Sequence, residues 1–178
     1  MLDTAIAFAA TAHAGQKRKY DKLPYIVHPI EVMSILHNQG VQDEAMLIAA
    51  VLHDVVEDTI VSLDTIERRF GADVAGLVDE LTDKFADPGL GNRKLRKQLE
   101  RNRIAETSAR AQTIKCADFV SNTASIVRYD LNFALIYLTE KSACLKVMTK
   151  ADPKLLELAR LSLVWGESEL VQESLRDA

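Results

Sequence analysis

Cysteine is scarce in this chain: Cys116 and Cys144 are the only two, and no CxxC spacing joins them. That argues against a disulfide framework, and they are expected as free thiols in a reducing cytosol. Aromatic residues make up only 6% of the sequence, while Ala, Leu, Glu, Lys and Arg are abundant. This composition argues against a sandwich or barrel and for helices. No apolar run approaches the roughly 18 residues of a membrane span. The start, Met-Leu-Asp-Thr-Ala-Ile, has no basic n-region. Nor is there an excess of positive charge: 22 basic residues stand against 26 acidic ones, a formal net charge of −4. The expectation is a cytoplasmic protein with no membrane partner and no nucleic-acid partner, in which an anionic ligand is held by a local basic patch or a metal. Repeats, low-complexity tracts and hairpin signals are also lacking.

What the chain has is a series of helix signals. Small apolar residues at Ala5, Ile6, Ala9 and Ala12 predict a helix over 2–14, closed by Gly15. The segment Pro24-Tyr25-Ile26-Val27-His28-Pro29 reads as extended, then enters a helix with His28 near the cap and Pro29 at its first position. Asp43 is expected to cap a helix from Glu44 to about Val56. Ser62 and Gly71 bracket a short helix, and a second follows over 73–81. Thr82 to Gly89 breaks the pattern. Leu95 and Leu99 give the basic stretch 93–103 a narrow apolar stripe. Helices are expected over 109–128, from Asp130 to about Lys150 with Phe133, Leu135, Ile136 and Leu138 in its core, and from Asp152-Pro153 to Trp165-Gly166. The tail 167–178 keeps amphipathic spacing but is expected to fray. The fold class is all-α, a compact bundle of about eight to nine helices, and 178 residues default to one domain, 1–178.

Residues 47–59, Leu-Ile-Ala-Ala-Val-Leu-His-Asp-Val-Val-Glu-Asp-Thr, carry the chemistry. An apolar run ends in His53-Asp54, and Glu57-Asp58 follow after two valines. Ionisable groups behind a buried segment need a partner or a metal. On a continuous helix His53 and Glu57, and likewise Asp54 and Asp58, are four apart on one face. His28 is a candidate third ligand; His13 and His37 read as structural or surface residues. Asp118 lies in an otherwise apolar stretch, so it needs a partner: a metal shared with His53-Asp54, or a salt bridge to Lys115 or Arg128. Asn122 is one turn beyond it. His28, His53, Asp54 and Asp118 form a His₂Asp₂ set suited to one Mn²⁺ or a related divalent ion rather than structural zinc. Such an ion polarises a phosphoryl oxygen and acidifies water. Glu57 and Asp58 are then expected to orient or deprotonate that water, given a carboxylate pKa raised by apolar surroundings. The reaction class is metal-assisted hydrolysis of a phosphate ester. The basic loop 16–22, Gln-Lys-Arg-Lys-Tyr-Asp-Lys, is an ordinary solvated loop on its own. Functionally it offers an anion-binding arm with Tyr20 or a guanidinium for stacking.

His…His-Asp…Asp resembles the HD phosphohydrolase superfamily. Within it, Gly-Gln-Lys-Arg-Lys, Pro-Tyr-Ile-Val-His-Pro, Leu-His-Asp-Val-Val-Glu-Asp-Thr, Arg-Phe-Gly-Ala-Asp-Val-Ala and Ile-Lys-Cys-Ala-Asp…Asn resemble the hydrolase domain of the RelA/SpoT alarmone enzymes, over roughly residues 1–128. The resemblance implies an HD-type hydrolase domain with catalytic motifs within 13–125 and C-terminal helices 130–178 completing the bundle. It also implies hydrolysis of the 3′-pyrophosphate of (p)ppGpp to GDP or GTP and pyrophosphate, with Mn²⁺. By motif position, His28, His53, Asp54 and Asp118 bind the metal and Glu57 and Asp58 handle the water. Arg18, Lys19, Asn122 and Ser125 contact the nucleotide. With no room for synthetase and regulatory domains, the chain is similar to a stand-alone small alarmone hydrolase.

This sequence departs from the family pattern at Cys116, Phe119, Ser121 and Ser125, and the loop from Lys19 to Pro24 lacks the usual Gly. These positions are expected near the base and ribose. That keeps (p)ppApp and NADPH open as alternative substrates, and beside them a non-catalytic alarmone-binding regulator. Intact Glu57 and Asp58 count against the regulator. Homo-oligomerisation is left open.

Overall fold

The computed structural model describes residues 1–176. Among the described residues there are ten α-helices, nine of them eight residues or longer, and no strand. One isolated antiparallel bridge joins Lys17 and Pro24. The all-α class read from composition is therefore the observed one. No described helix is long and apolar enough to cross a membrane. The chain divides into two compact units, Met1–Lys84 and a second beginning at Phe85.

The first unit holds α1 (Leu2–Ala12), α2 (Val27–Asn38), α3 (Glu44–Leu52), α4 (Val55–Asp58), α5 (Leu63–Phe70) and α6 (Ala72–Leu81). Its centre is α3, which packs against α1, α2 and α6. All residues from Met46 to Leu52 are buried, each large apolar side chain contributing about 1.5–3 kcal/mol. The Asp43 carboxylate caps α3, accepting from the Ala45 and Met46 amides at 2.9 and 3.2 Å. On α1, Ala5 and Ala9 are fully buried; side chains this small let that helix lie close to α3.

Two boundaries next to the histidines differ from the sequence expectation. Helix α2 begins at Val27, so His28 and Pro29 lie inside its first turn, where the missing proline N–H costs nothing. Helix α3 does not run to Val56: it stops at Leu52, and His53-Asp54 form a turn before the single-turn α4. The His53 Nδ1–H donates to the Ala50 carbonyl at 2.8 Å. A side chain that takes a terminal carbonyl in this way ends the helix.

The second unit has a 3₁₀ turn at Pro88–Leu90, then α7 (Arg93–Glu106), α8 (Ala109–Tyr129), α9 (Leu131–Leu145) and α10 (Pro153–Arg176). Helix α10 packs on α8 and α9, and α7 packs on α9. On α7 the buried side is Glu100 and Ile104, not Leu95, which is 44% exposed. Glu100 tolerates burial because the Arg103 guanidinium donates to it at 2.8 Å. Helix α9 ends five residues earlier than expected, and its buried side is Ala134, Tyr137, Leu138, Cys144 and Leu145, leaving Leu135 and Ile136 exposed. Both cysteines are free and buried. Burial pushes the Cys116 thiol up to about 12 and raises Cys144 as well, so both stay protonated.

Helix α10 passes through Gly166 instead of ending there and continues to Arg176; residues 177 and 178 lie outside the described residues. Gly166 is buried, and a Cβ at that position would come within 3.0 Å of Leu138 Cδ2 and Val127 Cγ2. The glycine is therefore a close-packing residue and not a stop signal. Replacing Gly166 by Leu is expected to destabilise the protein by about 2–3 kcal/mol, overpacking outweighing the roughly 1 kcal/mol of helix propensity regained. Urea unfolding measures it, and an unchanged midpoint would contradict this packing.

Candidate active site

The first unit gathers its site around one carboxylate oxygen, Asp54 Oδ2. Tyr25 donates its hydroxyl to it at 2.6 Å. His53 Nε2 lies 3.1 Å from it and His28 Nε2 3.7 Å. Both histidines are buried, with 2% and 4% exposure, and their rings meet edge to face at 5.3 Å. His53 and Asp54 are adjacent at the end of α3, both with right-handed helical dihedrals, and their side chains meet there.

The hydrogen bonding tests whether a metal fits. His53 Nδ1 gives its proton to a backbone carbonyl, which leaves Nε2 aimed at the carboxylate. That is the orientation in which a histidine ligates a metal, its other nitrogen donating to a backbone acceptor. Two ring nitrogens converge on the same oxygen, and one proton can bridge only one of them. A divalent ion bound by His28, His53 and Asp54 satisfies all three donors.

Glu57 and Asp58 follow on α4, and both are exposed, so the apolar surroundings expected for them are absent. The single turn of α4 carries them out of the core that α3 occupies. Each is instead oriented by a hydrogen bond. Glu57 Oε2 accepts from the Asp83 amide at 2.9 Å, and Asp58 Oδ2 accepts from Gln16 Nε2 at 3.3 Å. Gln16 Oε1 in turn accepts from His13 Nδ1 at 2.8 Å. His13 is buried, and its ring lies 4.7 Å from that of Tyr25. Sequence reading left His13 among the structural histidines and assigned nothing to Gln16 or Tyr25. For Tyr25 a signal existed: it precedes His28 by three residues in the same motif. His37 is exposed, as expected.

The basic loop is less free than its charge suggested. The Arg18 guanidinium is 12% exposed and pairs with Asp21 at 3.4 Å and Glu31 at 3.2 Å. Lys19 donates to the Tyr20 hydroxyl at 3.0 Å and sits 4.6 Å from that ring's centre. Lys22 holds the turn in the left-handed region, φ 61°, with its ammonium donating to the Lys19 carbonyl at 2.7 Å.

In the second unit, α8 presents Asp118, Asn122 and Ser125 along one side. Asp118 Oδ1 accepts from Asn122 Nδ2 at 2.6 Å, and Lys115 Nζ lies 3.1 Å from Oδ2. The simple salt bridge to Lys115 is thus present, and Arg128 is exposed with its guanidinium over the Tyr129 ring. Three departures from the family pattern, Cys116, Phe119 and Ser121, are buried at 0%, 0% and 2% exposure. They are core residues of α8. Ser125 alone of the four is half-buried. Lys141 of α9 places its ammonium 4.3 Å from the centre of the Phe119 ring; burial first, and then the charge of Lys115, lower its pKa.

The sequence matches the family model described as HD domain over residues 5–161. It is 41% identical over 126 residues to the Xenopus tropicalis guanosine-3′,5′-bis(diphosphate) 3′-pyrophosphohydrolase MESH1, covering 70% of this chain and 68% of that one. The Drosophila melanogaster protein of the same name is 44% identical over 119 residues, covering 66% and 64%. Among solved structures, one described as a metazoan ortholog of SpoT that hydrolyzes ppGpp and plays a role in starvation responses superposes with a TM-score of 0.82 at 31% identity, covering 92% of this chain and 94% of that one.

Because Tyr25 orients Asp54, Tyr25→Phe is expected to weaken binding of a divalent ion about tenfold without unfolding the protein. Calorimetric titration with MnCl₂ measures this. Equal affinities would mean the phenol does not support the site.

Proposed function

The chain belongs to the HD-domain family, in the branch of the guanosine-3′,5′-bis(diphosphate) 3′-pyrophosphohydrolases, and on that membership we propose that it hydrolyses the 3′-pyrophosphate of (p)ppGpp to GDP or GTP and pyrophosphate. The observation that carries this reading is the convergence of His28 and His53 on Asp54, with Glu57 and Asp58 one turn beyond. We further propose that the two units work as one catalytic domain, in which Asp118 adds the fourth ligand to His28, His53 and Asp54. The unbroken family match from residue 5 to 161 supports this, since it runs through both units.

The proposed ion is Mn²⁺, which accepts mixed imidazole and carboxylate donors and keeps room for water. When bound it supplies Lewis acidity toward a phosphoryl oxygen and lowers the pKa of water. The chain's own groups do the rest. Glu57 and Asp58, fixed by the Asp83 amide and Gln16, orient the attacking water and take its proton. Water adds to the phosphorus attached to the 3′-oxygen, that P–O bond breaks, and the 3′-oxygen leaves as a hydroxyl with the released proton. Arg18 and Lys19 receive the nucleotide from the loop, with the guanidinium pre-set by Asp21 and Glu31, and Asn122 and Ser125 contact the nucleoside. The protein is proposed to act in the cytoplasm on a soluble nucleotide.

Purified protein incubated with MnCl₂ and, separately, ppGpp, ppApp and NADPH is expected to release pyrophosphate and GDP from ppGpp. Release of pyrophosphate from neither alarmone overturns the reading; phosphate from NADPH alone reassigns the substrate. Glu57→Ala is expected to keep Mn²⁺ affinity and lose about 10²–10⁴-fold in kcat. Asp54→Ala is expected to abolish Mn²⁺ binding by calorimetry, and a variant that still binds would remove Asp54 from the ligand set.

A further inference from the structure

We propose that the outward face of α10 is a dimer interface, against which a second copy of this chain lays its own α10 antiparallel. Helix α10 is apolar on two opposite sides. Leu155, Ala159, Leu163 and Gly166 are buried against the rest of the second unit. On the other side Leu161, Val164, Val171 and Leu175 follow one another at alternating helical steps, with Ser168 in the middle place, and are 55%, 60%, 59% and 72% exposed. Trp165 borders this seam and is also exposed. A surface helix ordinarily turns polar and charged residues outward, whereas a seam at this spacing is the kind that packs along a second helix. The five side chains leave on the order of 500 Å² of apolar surface in water, toward the upper end for a monomer. With a polar rim, that approaches the roughly 800 Å² per partner of a standard interface. A groove runs along each edge of the seam. One, of about 340 Å³, is lined by Arg160, Val164 and Glu167 with Leu145 of α9; the other, of about 480 Å³, by Trp165 with Val127 and Leu131. Ridges of a facing helix seat in such grooves.

The charges beside the seam select the occupant. Arg160 and Glu167 lie about two turns apart on the same edge. Both are exposed. Arg160 has only a long pair with Glu157, at 3.8 Å, and Glu167 has no ion-pair partner among the described residues. A two-fold axis crossing the helix near Val164 sets Arg160 of one copy against Glu167 of the other, and symmetry makes that pair twice. On the opposite edge the same rotation brings Trp165 of each copy to Leu158 of the other. A parallel pairing would instead oppose Arg160 to Arg160 and Glu167 to Glu167, and like charges brought together in this way are repelled. The edge is therefore complementary to itself in the antiparallel sense, which is what an isologous contact between two copies requires.

Sedimentation equilibrium of the full chain tests this. The wild type is expected to be a dimer, and a protein that stays monomeric at roughly 100 µM overturns the proposal and leaves the seam to a different partner or to none. Val164→Glu, which brings two carboxylates together at the axis, is expected to weaken the dimer at least about tenfold. Glu167→Arg is expected to weaken it about tenfold by opposing like charges, and Arg160→Glu combined with Glu167→Arg to return it to within about threefold of wild type. Melting temperatures are expected to match that of the wild-type monomer fold, since all three positions are exposed. A dimer indifferent to Val164→Glu is not formed through this face. If Val164→Glu fails to fold, the charge variants decide: a dimer unaffected by Glu167→Arg, or not restored by the exchange, overturns the antiparallel pairing.

Discussion

Two imidazole nitrogens and a phenol hydroxyl aimed at one carboxylate oxygen, Asp54 Oδ2, set the terms for the first unit. His53 cannot turn away, because its other nitrogen caps α3 through the Ala50 carbonyl. His28 cannot either, held within the first turn of α2 and against the His53 ring. Such a cluster is a donor set that a cation can share. Much of the local structure serves to hold it. The fully buried α3 gives His53 a rigid base, and Asp54 follows it directly at the helix end.

The cluster was legible in sequence because its cost is visible there. An apolar run that ends in His-Asp asks for a partner whatever the backbone does, so His28, His53 and Asp54 could be named from residue types alone. What the sequence did not show was the geometry that unites them. Helical periodicity assumes an unbroken helix, and the signal that breaks this one is a side-chain hydrogen bond from His53 to Ala50, which no propensity scale contains. The same assumption misplaced Glu57 and Asp58. On a longer helix they would lie against apolar residues; on a single turn they reach solvent and are set by the Asp83 amide and Gln16. Gln16 carries no mark in a sequence of polar loop residues, and His13, which orients it, resembles any helical histidine.

The second unit was read well in outline and less well in detail, for a related reason. Its helices were recoverable from caps such as Ser108 and Asp130, whose side chains accept from the Ala111 and Phe133 amides. Which face each helix buries was not. Leucines at Leu95, Leu135 and Leu161 are exposed, while Glu100, Gln112 and Gly166 are buried. Gln112 is fully enclosed because its amide donates to the Ile104 carbonyl and accepts from the Lys150 amide. Hydropathy ranks side chains one at a time, whereas burial here is decided by pairing and by the closeness of α8, α9 and α10.

This bears on how substrate choice is read. The departures at Cys116, Phe119 and Ser121, expected near the base and ribose, all lie in the core of α8. A core substitution acts on a ligand only through what it supports. Phe119 supports Lys141, whose ammonium rests on its ring. A net charge of −4 concealed this arrangement. Most of the acidic surplus is exposed and screened by solvent, while the few cations drawn into the interior, Lys115 and Lys141, act at low dielectric, where each counts for more. The sign of the whole chain does not report such a local arrangement.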